Sequence, residues 1–478
     1  MATRAVRAHA ADSEALEDGV RAIEREMRLS PDFPPEVEEA ARAAAENPSL
    51  PPLDRTDIPF VTIDPEEARD LDQALHIERD GDGYVVHYAI ADVAAFVEPG
   101  GPIDLEAHRR GETLYGATGK IPLHPPVLSE GAASLLPDQV RPALLWTIKL
   151  DAAGEGIDAD VRRALVRSRA KLDYAGVQEH VDAGTQDEVF TLLREVGQLR
   201  INREQVRGGI NLPLPEQEIV VDGDRWSLRF RAPLPVEEWN AQISLLTGMA
   251  AADLMMYAEV GILRTLPAAD HLVVQRLHRT AAALGIAWPA ELLYPDFVRS
   301  LDPTRAEHAA MVAACTQLLR GSGYVGFEDA VPEHPVHAAL ASEYAHVTAP
   351  LRRLVDRYAA EVCVALCAER EVPDWVRAEL SELPKTMDES GRRASRYESA
   401  ILNLAEAGVL APSVGRTFTG VITEVDREEP CFGSVVVRDP AIEARVEGSQ
   451  PLPLGRQVQV RLAEADPATR TVRFEHGG

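Results

Sequence analysis

The sequence predicts an α+β protein in three parts: a short helical N-terminal domain (residues 1–55), a large mixed α+β domain (56–411) and a C-terminal five-stranded OB-type β-barrel (412–478). Three observations indicate this class. Apolar residues recur at helical spacing near the N-terminus. Strand-like and helix-like segments alternate irregularly through the middle. Five short β patterns at regular spacing close the chain. A length of 478 residues suits about three domains of ~150 residues each.

The N-terminal domain contains two helix patterns separated by a break. The first pattern runs from Val6 to Met27, and the sequence Ser-Pro-Asp-Phe-Pro-Pro at 30–35 interrupts it. The second covers 36–46 and has a proline near its first turn. Two interpretations stay open, a helical cap packed on the next domain and a nucleic-acid-binding helix-turn-helix. The acidic composition of this segment disfavours the second.

The central domain mixes β and α patterns. β-branched and aromatic runs predict strands at 60–64, 84–97 and 144–150. Helical spacing predicts helices within 175–199, 236–256 and 355–368. Such a mixture predicts an α+β domain with one large core.

The C-terminal domain carries five β patterns in about 65 residues, which favours an OB-type barrel. Barrels of this kind often bind single-stranded nucleic acid by stacking bases on aromatic side chains. Only Phe418, Phe432 and Phe474 are present for that purpose. Nucleic-acid binding and a purely structural role both stay open.

The net charge is unusual. Asp and Glu number 77 against 49 Lys and Arg, so the formal net charge is −28. A protein this acidic repels nucleic acid on average, and binding a polyanion requires local basic patches or metal ions. The composition excludes a wholly disordered chain and a membrane-dominated one. Four cysteines in 478 residues are no disulfide framework, and the N-terminus lacks the apolar core of a secretory signal. We therefore expect a cytoplasmic protein without membrane association.

The most informative stretch is an acidic cluster that follows the first predicted strand. It holds three Asp and two Glu within nine residues, namely Asp64, Glu66, Glu67, Asp70 and Asp72. Carboxylates placed so close repel one another unless a hard cation lies among them, and Mg²⁺ prefers carboxylate oxygens. Two such ions can activate a water and stabilise the leaving oxygen of a phosphodiester. From spacing alone, a solvated acidic loop is an equally good interpretation.

This cluster, read as TIDPEEARDLDQAL over 62–75, resembles the signature of the ribonuclease II (RNB) family, usually TIDxxxARDxDDA. Further segments resemble family motifs in the same order along the chain. They are YAIADV at 88–93, GETLY at 111–115, IPLHPPVLS at 121–129, AKLDY at 170–174, RGGI at 207–210, VEE at 236–238 and YAHVTAPLRR at 344–353. The resemblance spans about 300 residues.

The resemblance implies a hydrolytic exoribonuclease that degrades single-stranded RNA from its 3′ end to nucleoside 5′-monophosphates with Mg²⁺. The family's metal site falls on Asp64, Asp70, Asp72 and Gln73. Its catalytic arginine falls on Arg352, which acts together with Asp70 and Asp72. An arginine suits this role because its guanidinium stays charged and grips phosphate oxygens.

The resemblance also implies residues that contact RNA. Tyr115 falls on the tyrosine that stacks against the 3′-terminal base, and a tyrosine packed in the sheet is the alternative. The other RNA contacts that we expect are Arg353, Glu237, Glu238, Arg207, Arg169 and Lys171. The last three lie in a stretch from Val161 to Arg231 that is richer in basic residues than the rest of the chain.

Two departures from the family pattern matter. Gln73 replaces the fourth Asp and removes one negative charge from the metal site. Residues 1–55 also stand where family members carry two cold-shock barrels. We expect a monomeric exoribonuclease that uses one or two Mg²⁺ ions, or Mn²⁺, and takes single-stranded RNA as its partner. The alternatives are a catalytically impaired RNA-binding protein of the same fold and a phosphodiesterase that acts on DNA or a dinucleotide.

Overall fold

The computed structural model describes residues 13–117, 119–184, 187–212, 214, 216–222 and 225–477. Val6, in the predicted first helix, lies outside the described residues. Over the described ranges the chain forms twelve α-helices. They are α1 (Ser13–Met27), α2 (Pro35–Glu46), α3 (Pro102–Arg110), α4 (Tyr174–Asp182), α5 (Glu188–Arg207), α6 (Pro235–Tyr257), α7 (His271–Ala283), α8 (Tyr294–Arg299), α9 (Ala306–Cys315), α10 (Leu354–Cys367), α11 (Asp374–Glu379) and α12 (Leu383–Leu410).

Eighteen strands accompany these helices in the same described ranges. They are β1 (Phe60–Asp64), β2 (Gln73–Asp80), β3 (Gly83–Ala91), β4 (Leu114–Tyr115), β5 (Lys120–Ile121), β6 (Val140–Leu150), β7 (Gly156–Asp173), β8 (Glu216–Asp222), β9 (Arg225–Arg231), β10 (Val260–Thr265), β11 (Gly323–Glu328), β12 (Val336–His337), β13 (Ser342–Glu343), β14 (Thr417–Val425), β15 (Phe432–Val437), β16 (Ile442–Gly448), β17 (Gln457–Asp466) and β18 (Thr471–His476). The predicted α+β class is confirmed.

The central part is organised around a closed barrel with strand order β1-β2-β3-β6-β7. The antiparallel run β2-β3-β6-β7 is closed by β1, which pairs in parallel with β7 so that Asp64 lies opposite Asp173. Successive side chains of a strand point to opposite faces. On β3, Tyr88 and Ile90 accordingly join one apolar core while Ala89 and Ala91 join another. The barrel strands are therefore buried on both faces.

Helices cover the two faces of this barrel. Apolar residues of α5, α6 and α10 belong to the larger core, for example Leu193, Ile243 and Tyr358. Val37 and Ala41 of α2 belong to the second core. The long runs of Val, Ile and Leu in the barrel strands are explained by burial on both sides.

The N-terminal helix α1 packs against α12. The close approach depends on small residues, because a Cβ added at Gly19 would meet Leu404 Cδ2 at 2.7 Å and one added at Gly408 would meet Leu16 Cδ2 at 2.4 Å. Tyr397 of α12 donates a hydrogen bond to Glu24 at 3.2 Å. The contacts are those expected of a helical cap.

The C-terminal strands form a second closed barrel with order β14-β15-β16-β18-β17, in which β16 and β18 run parallel. This confirms the predicted five-stranded barrel. The expectation that all three phenylalanines are available to RNA is wrong, because Phe474 is fully buried and Phe418 packs edge-on against it. Phe432 alone of the three is exposed, at 43%. In the described part of the chain, no helix has the length and apolar character needed to cross a bilayer.

Candidate active site

The acidic cluster lies on the connection between β1 and β2. Asp64 is the last residue of β1, and Asp72 directly precedes β2. Between them the loop is held by Ser134, whose hydroxyl accepts a hydrogen bond from Leu71 N at 2.9 Å and donates one to Arg69 O at 2.6 Å. Leu71 is fully buried. The loop is therefore fixed by its backbone, and its carboxylates keep defined positions.

Asp72 is buried, with 4% of its surface exposed. Its Oδ1 accepts a hydrogen bond from Leu351 N at 2.8 Å, and its Oδ2 lies 3.7 Å from Arg352 Nε. Burial raises the pKa of Asp72 to about 8, although the nearby charge of Arg352 acts in the opposite direction. Asp72 thus ties the acidic loop to a segment 279 residues further along the chain.

Asp64 is the second carboxylate of the cluster with a disfavoured charge. Burial raises its pKa to about 6, the charge of Asp70 adds to this, and the charges of Arg352 and Lys171 oppose it. Its Oδ2 is buried without a hydrogen-bond partner among the described residues. A buried and unpaired carboxylate oxygen is costly unless a cation binds it.

Gln73 is held at both ends of its amide. Its Nε2 donates a hydrogen bond to Thr348 O at 2.5 Å, and its Oε1 accepts one from the Tyr88 hydroxyl at 3.2 Å. Tyr88 is itself within 2.8 Å of Ser244 Oγ on α6. In this arrangement Gln73 links the barrel to the Thr348 segment.

Asp70 is paired with a lysine. Lys120 Nζ lies 2.7 Å from Asp70 Oδ1 and 3.0 Å from Glu130 Oε1. The side chains are largely shielded, with 22% of Lys120 and 14% of Asp70 exposed. One ammonium therefore neutralises part of the acidic cluster.

The two neighbouring arginines have different environments. Arg353 forms a bidentate pair with Asp356, with Nε at 2.5 Å from Oδ2 and Nη2 at 2.8 Å from Oδ1. Arg352 instead has a side chain that is 49% exposed beside Asp72. Backbone hydrogen bonds from Thr113 N to Arg352 O and from Leu354 N to Gly111 O hold the pair in place. The free guanidinium at the site is that of Arg352.

Tyr115 lies on the β4-β5 hairpin above the same group. It pairs with Lys120 across the hairpin, and directly opposite residues project to one face. Tyr115 is 42% exposed. Burial of part of the ring raises the pKa of its hydroxyl, and the charges of Arg352, Asp70 and Asp72 also act on it. An exposed aromatic face thus stands beside the carboxylates and the arginine.

The remaining predicted RNA contacts are more dispersed. Lys171 lies near the cluster, donating from Nζ to the Glu66 carbonyl. Glu237 accepts from Leu234 N at 3.0 Å and pairs with Arg231, so it fixes the start of α6. Glu238 has a pKa raised by burial and by neighbouring carboxylates.

Two predicted basic contacts lie elsewhere on the surface. Arg169 lies 3.6 Å from Asp187. Arg207 ends α5, and its Nε and Nη2 are buried without a hydrogen-bond partner in the described part of the chain. Part of the basic stretch around them faces inward, because Arg200 is 2% exposed and donates to Gly154 O at 2.9 Å.

Lys120 and Tyr174 belong to the site although motif reasoning assigned neither of them a role. The pKa of the Tyr174 hydroxyl is raised by burial and by the charge of Asp64. Asn240 donates a hydrogen bond to this hydroxyl at 3.3 Å. The available signal for Lys120 is its place opposite Tyr115 in a two-stranded turn, a pairing that two-residue strands do not disclose in sequence.

The donors fit a hard divalent cation. Asp64 and Asp72 present carboxylate oxygens in a shielded setting, where a cation would offset the cost of their charge. Among the residues that the structure describes, no three His, Cys, Asp or Glu side chains are grouped closely enough to hold a metal ion by themselves. Mg²⁺ commonly uses one or two protein carboxylates and completes its shell with water and substrate phosphate.

Comparisons with known proteins agree with this geometry. The RNB domain family matches residues 53–368, and the RNase II-type exonuclease C-terminal S1 domain matches 416–476. The chain belongs to the RNB family. RNB-family nucleases are generally dependent on divalent metal ions.

Individual relatives are more distant. Ribonuclease R of Escherichia coli is 27% identical over 415 residues, which cover 82% of this chain and 50% of that protein. Exoribonuclease 2 of Serratia proteamaculans is 27% identical over 478 residues, with 89% and 70% covered. The chain thus spans about half the length of the E. coli relative. The Mycoplasma genitalium RNase R in complex with ribose methylated single-stranded RNA superposes with a TM-score of 0.85 at 19% identity, covering 97% of this chain and 78% of that one.

Proposed function

We propose that the chain is a Mg²⁺-dependent hydrolytic exoribonuclease that shortens single-stranded RNA from the 3′ end and releases nucleoside 5′-monophosphates. One observation carries the proposal. Asp64, Asp72, Arg352 and Tyr115 come from three distant segments and meet at one place. The relatives named ribonuclease R and exoribonuclease 2 support the same activity.

The metal site is assigned to Asp64 and Asp72. When bound, the divalent ion makes a water molecule more acidic and offsets charge on the phosphate. The protein holds Asp72 through Leu351 N, so its second oxygen faces Arg352 and the ion. In the reaction, water oxygen bonds to phosphorus, the bond from phosphorus to the 3′ oxygen breaks, and that oxygen takes up a proton.

Arg352 is positioned to stabilise negative charge on the scissile phosphate. Its guanidinium donates in a planar fork that matches two phosphate oxygens. Removing one such donor from an active site typically lowers the rate about 10²–10³-fold. Arg353 has the supporting task of fixing the first turn of α10 through Asp356.

Tyr115 is positioned to stack on the terminal base. Stacking is indifferent to base identity and contributes about 1–3 kcal/mol per base, which suits an enzyme that removes nucleotides without sequence preference. Because Tyr115 lies within the electrostatic reach of Asp72 and Arg352, a base on its face would bring the adjacent phosphate toward both.

The test is digestion of single-stranded RNA labelled at its 5′ end, resolved on a gel. We expect a ladder that shortens from the 3′ end with Mg²⁺ and stays intact with EDTA. Asp72→Asn keeps an oxygen that accepts from Leu351 N but removes the charge, so it should abolish shortening. Arg352→Gln should do nearly the same, whereas Arg392→Gln, an exposed arginine paired with Asp388, should not. Shortening that persists in EDTA or in Asp72→Asn contradicts the proposal.

A second function is favoured by Gln73, whose amide is engaged at both ends. If the loss of one carboxylate abolishes turnover, the chain is an RNA-binding protein that keeps the fold. RNA that is retarded on a native gel but not shortened would support this alternative. Matched DNA oligonucleotides in the same assay test the DNA phosphodiesterase.

A further inference from the structure

Lys120 places a positive charge inside the acidic cluster, and the proposed nuclease chemistry assigns it no task. Its ammonium lies 2.7 Å from Asp70 and 3.0 Å from Glu130, and only 22% of the side chain is exposed. A lysine on a surface loop would be free to leave such a pair, so the rigidity of its support matters.

That support is firm. Lys120 begins β5, whose partner β4 carries Tyr115, and the turn is closed by Gly116 N donating to Gly119 O at 2.8 Å. Leu114 and Ile121 on the same hairpin are buried. The ammonium is therefore presented to Asp70 from a fixed backbone.

The distribution of open carboxylate oxygens then becomes uneven. Asp70 and Glu130 share the lysine. Gln73 brings no charge and uses its amide within the chain. Asp64 Oδ2 is unpartnered among the described residues, and Asp72 Oδ2 lies 3.7 Å from Arg352 Nε, beyond hydrogen-bond distance. Two carboxylates are enough for one Mg²⁺ ion.

We propose that Lys120 supplies the second positive charge of this site, so that the chain binds one divalent cation, through Asp64 and Asp72, instead of two. The inference rests on the proposed function and specifies its metal content. A second divalent ion at Asp70 would stand within a few ångströms of the ammonium, and like charges at that distance repel strongly in a shielded site. Lys120 is thus a residue that sets metal stoichiometry.

The experiment counts bound Mn²⁺ on the full chain without RNA. The signal of free aquated Mn²⁺ in electron paramagnetic resonance gives the bound ions per chain during a titration. We expect one ion for the wild type, one for Lys120→Arg, which keeps the charge, and two for Lys120→Met. Lys149→Met removes a lysine paired with Asp158 at 3.6 Å on the exposed side of β6 and should still bind one. Asp64→Asn should lose the ion, which locates it at the site.

Two results would overturn the inference: two ions of similar affinity on the wild type, or one ion on a folded Lys120→Met. The wild-type count is decisive even if Lys120→Met does not fold. RNA digestion by the same preparations separates the two proposals. Shortening of RNA by a wild type that holds two ions refutes the role of Lys120 alone, and intact RNA beside one bound ion refutes the proposed nuclease.

Discussion

The substitution Glu406→Gln should change how stability depends on pH. Glu406 lies on α12 with 4% of its surface exposed. Its Oε1 accepts hydrogen bonds from Gln217 Nε2 at 2.8 Å and from Glu443 N at 3.3 Å. Gln217 also donates to Ala441 O at 2.7 Å. This buried carboxyl therefore joins α12, the β8-β9 hairpin and the C-terminal barrel.

The magnitude follows from the pKa of Glu406. Burial raises the pKa from its ordinary value of 4.5 to about 7 in the folded protein. The folded state consequently holds the proton more tightly than the unfolded state does. The stabilising contribution is complete below pH 4.5 and is lost as the pH rises to about 7. The difference between the two pKa values corresponds to about 3 kcal/mol.

Glu406→Gln keeps an oxygen that accepts both hydrogen bonds and does not titrate. Denaturant unfolding at pH 5 and pH 8 should show the variant gaining about 2–3 kcal/mol relative to wild type between the two conditions. Glu389→Gln, which alters an exposed carboxylate on the same helix, should show no such gain. Parallel pH profiles for Glu406→Gln and wild type would refute the reasoning.

Other outcomes follow from the site and the core. Arg352→Lys keeps the charge but loses the planar fork, so kcat on RNA should fall about 10²-fold while the melting temperature stays unchanged; an unchanged kcat would contradict the assigned role. Tyr115→Ala should raise KM about 5- to 150-fold through lost stacking, measured with short single-stranded RNA, and Tyr115→Phe should not. Gly326→Ala would place a Cβ 1.8 Å from Leu380 O, so thermal unfolding should show a loss of about 2 kcal/mol or more. Binding of RNA to inactive Asp72→Asn should weaken with salt, by a slope of about 0.7 per phosphate contact on a logarithmic plot.

Much of the architecture could be predicted because it depends on local patterns. The helical spacing around 236–256 became α6 (Pro235–Tyr257), and the pattern around 355–368 became α10 (Leu354–Cys367). Five terminal β patterns became five strands of one barrel. Period and punctuation by proline are properties of neighbouring residues, so they are visible before the chain folds.

The identity of the acidic loop was also visible, since its five carboxylates lie within nine residues. Its environment was not. The buried oxygen of Asp64 and the raised pKa of Asp72 result from packing against α6, α10 and the 348–353 segment. The C-terminal aromatics show the same limit, because alternation along β18 does not reveal that Phe474 fills the barrel core.

The sequence by itself therefore determined the fold class, the family resemblance and the set of residues from which an active site could be built. Tertiary structure decided how those residues divide the work. Arg352 is free because Asp356 holds Arg353, Gln73 is engaged by a carbonyl 275 residues away, and Lys120 stands beside Asp70. Each of these facts is a contact between segments far apart in the chain. Charges and hydrogen bonds act over a few ångströms in space, and separation along the sequence says nothing about that distance.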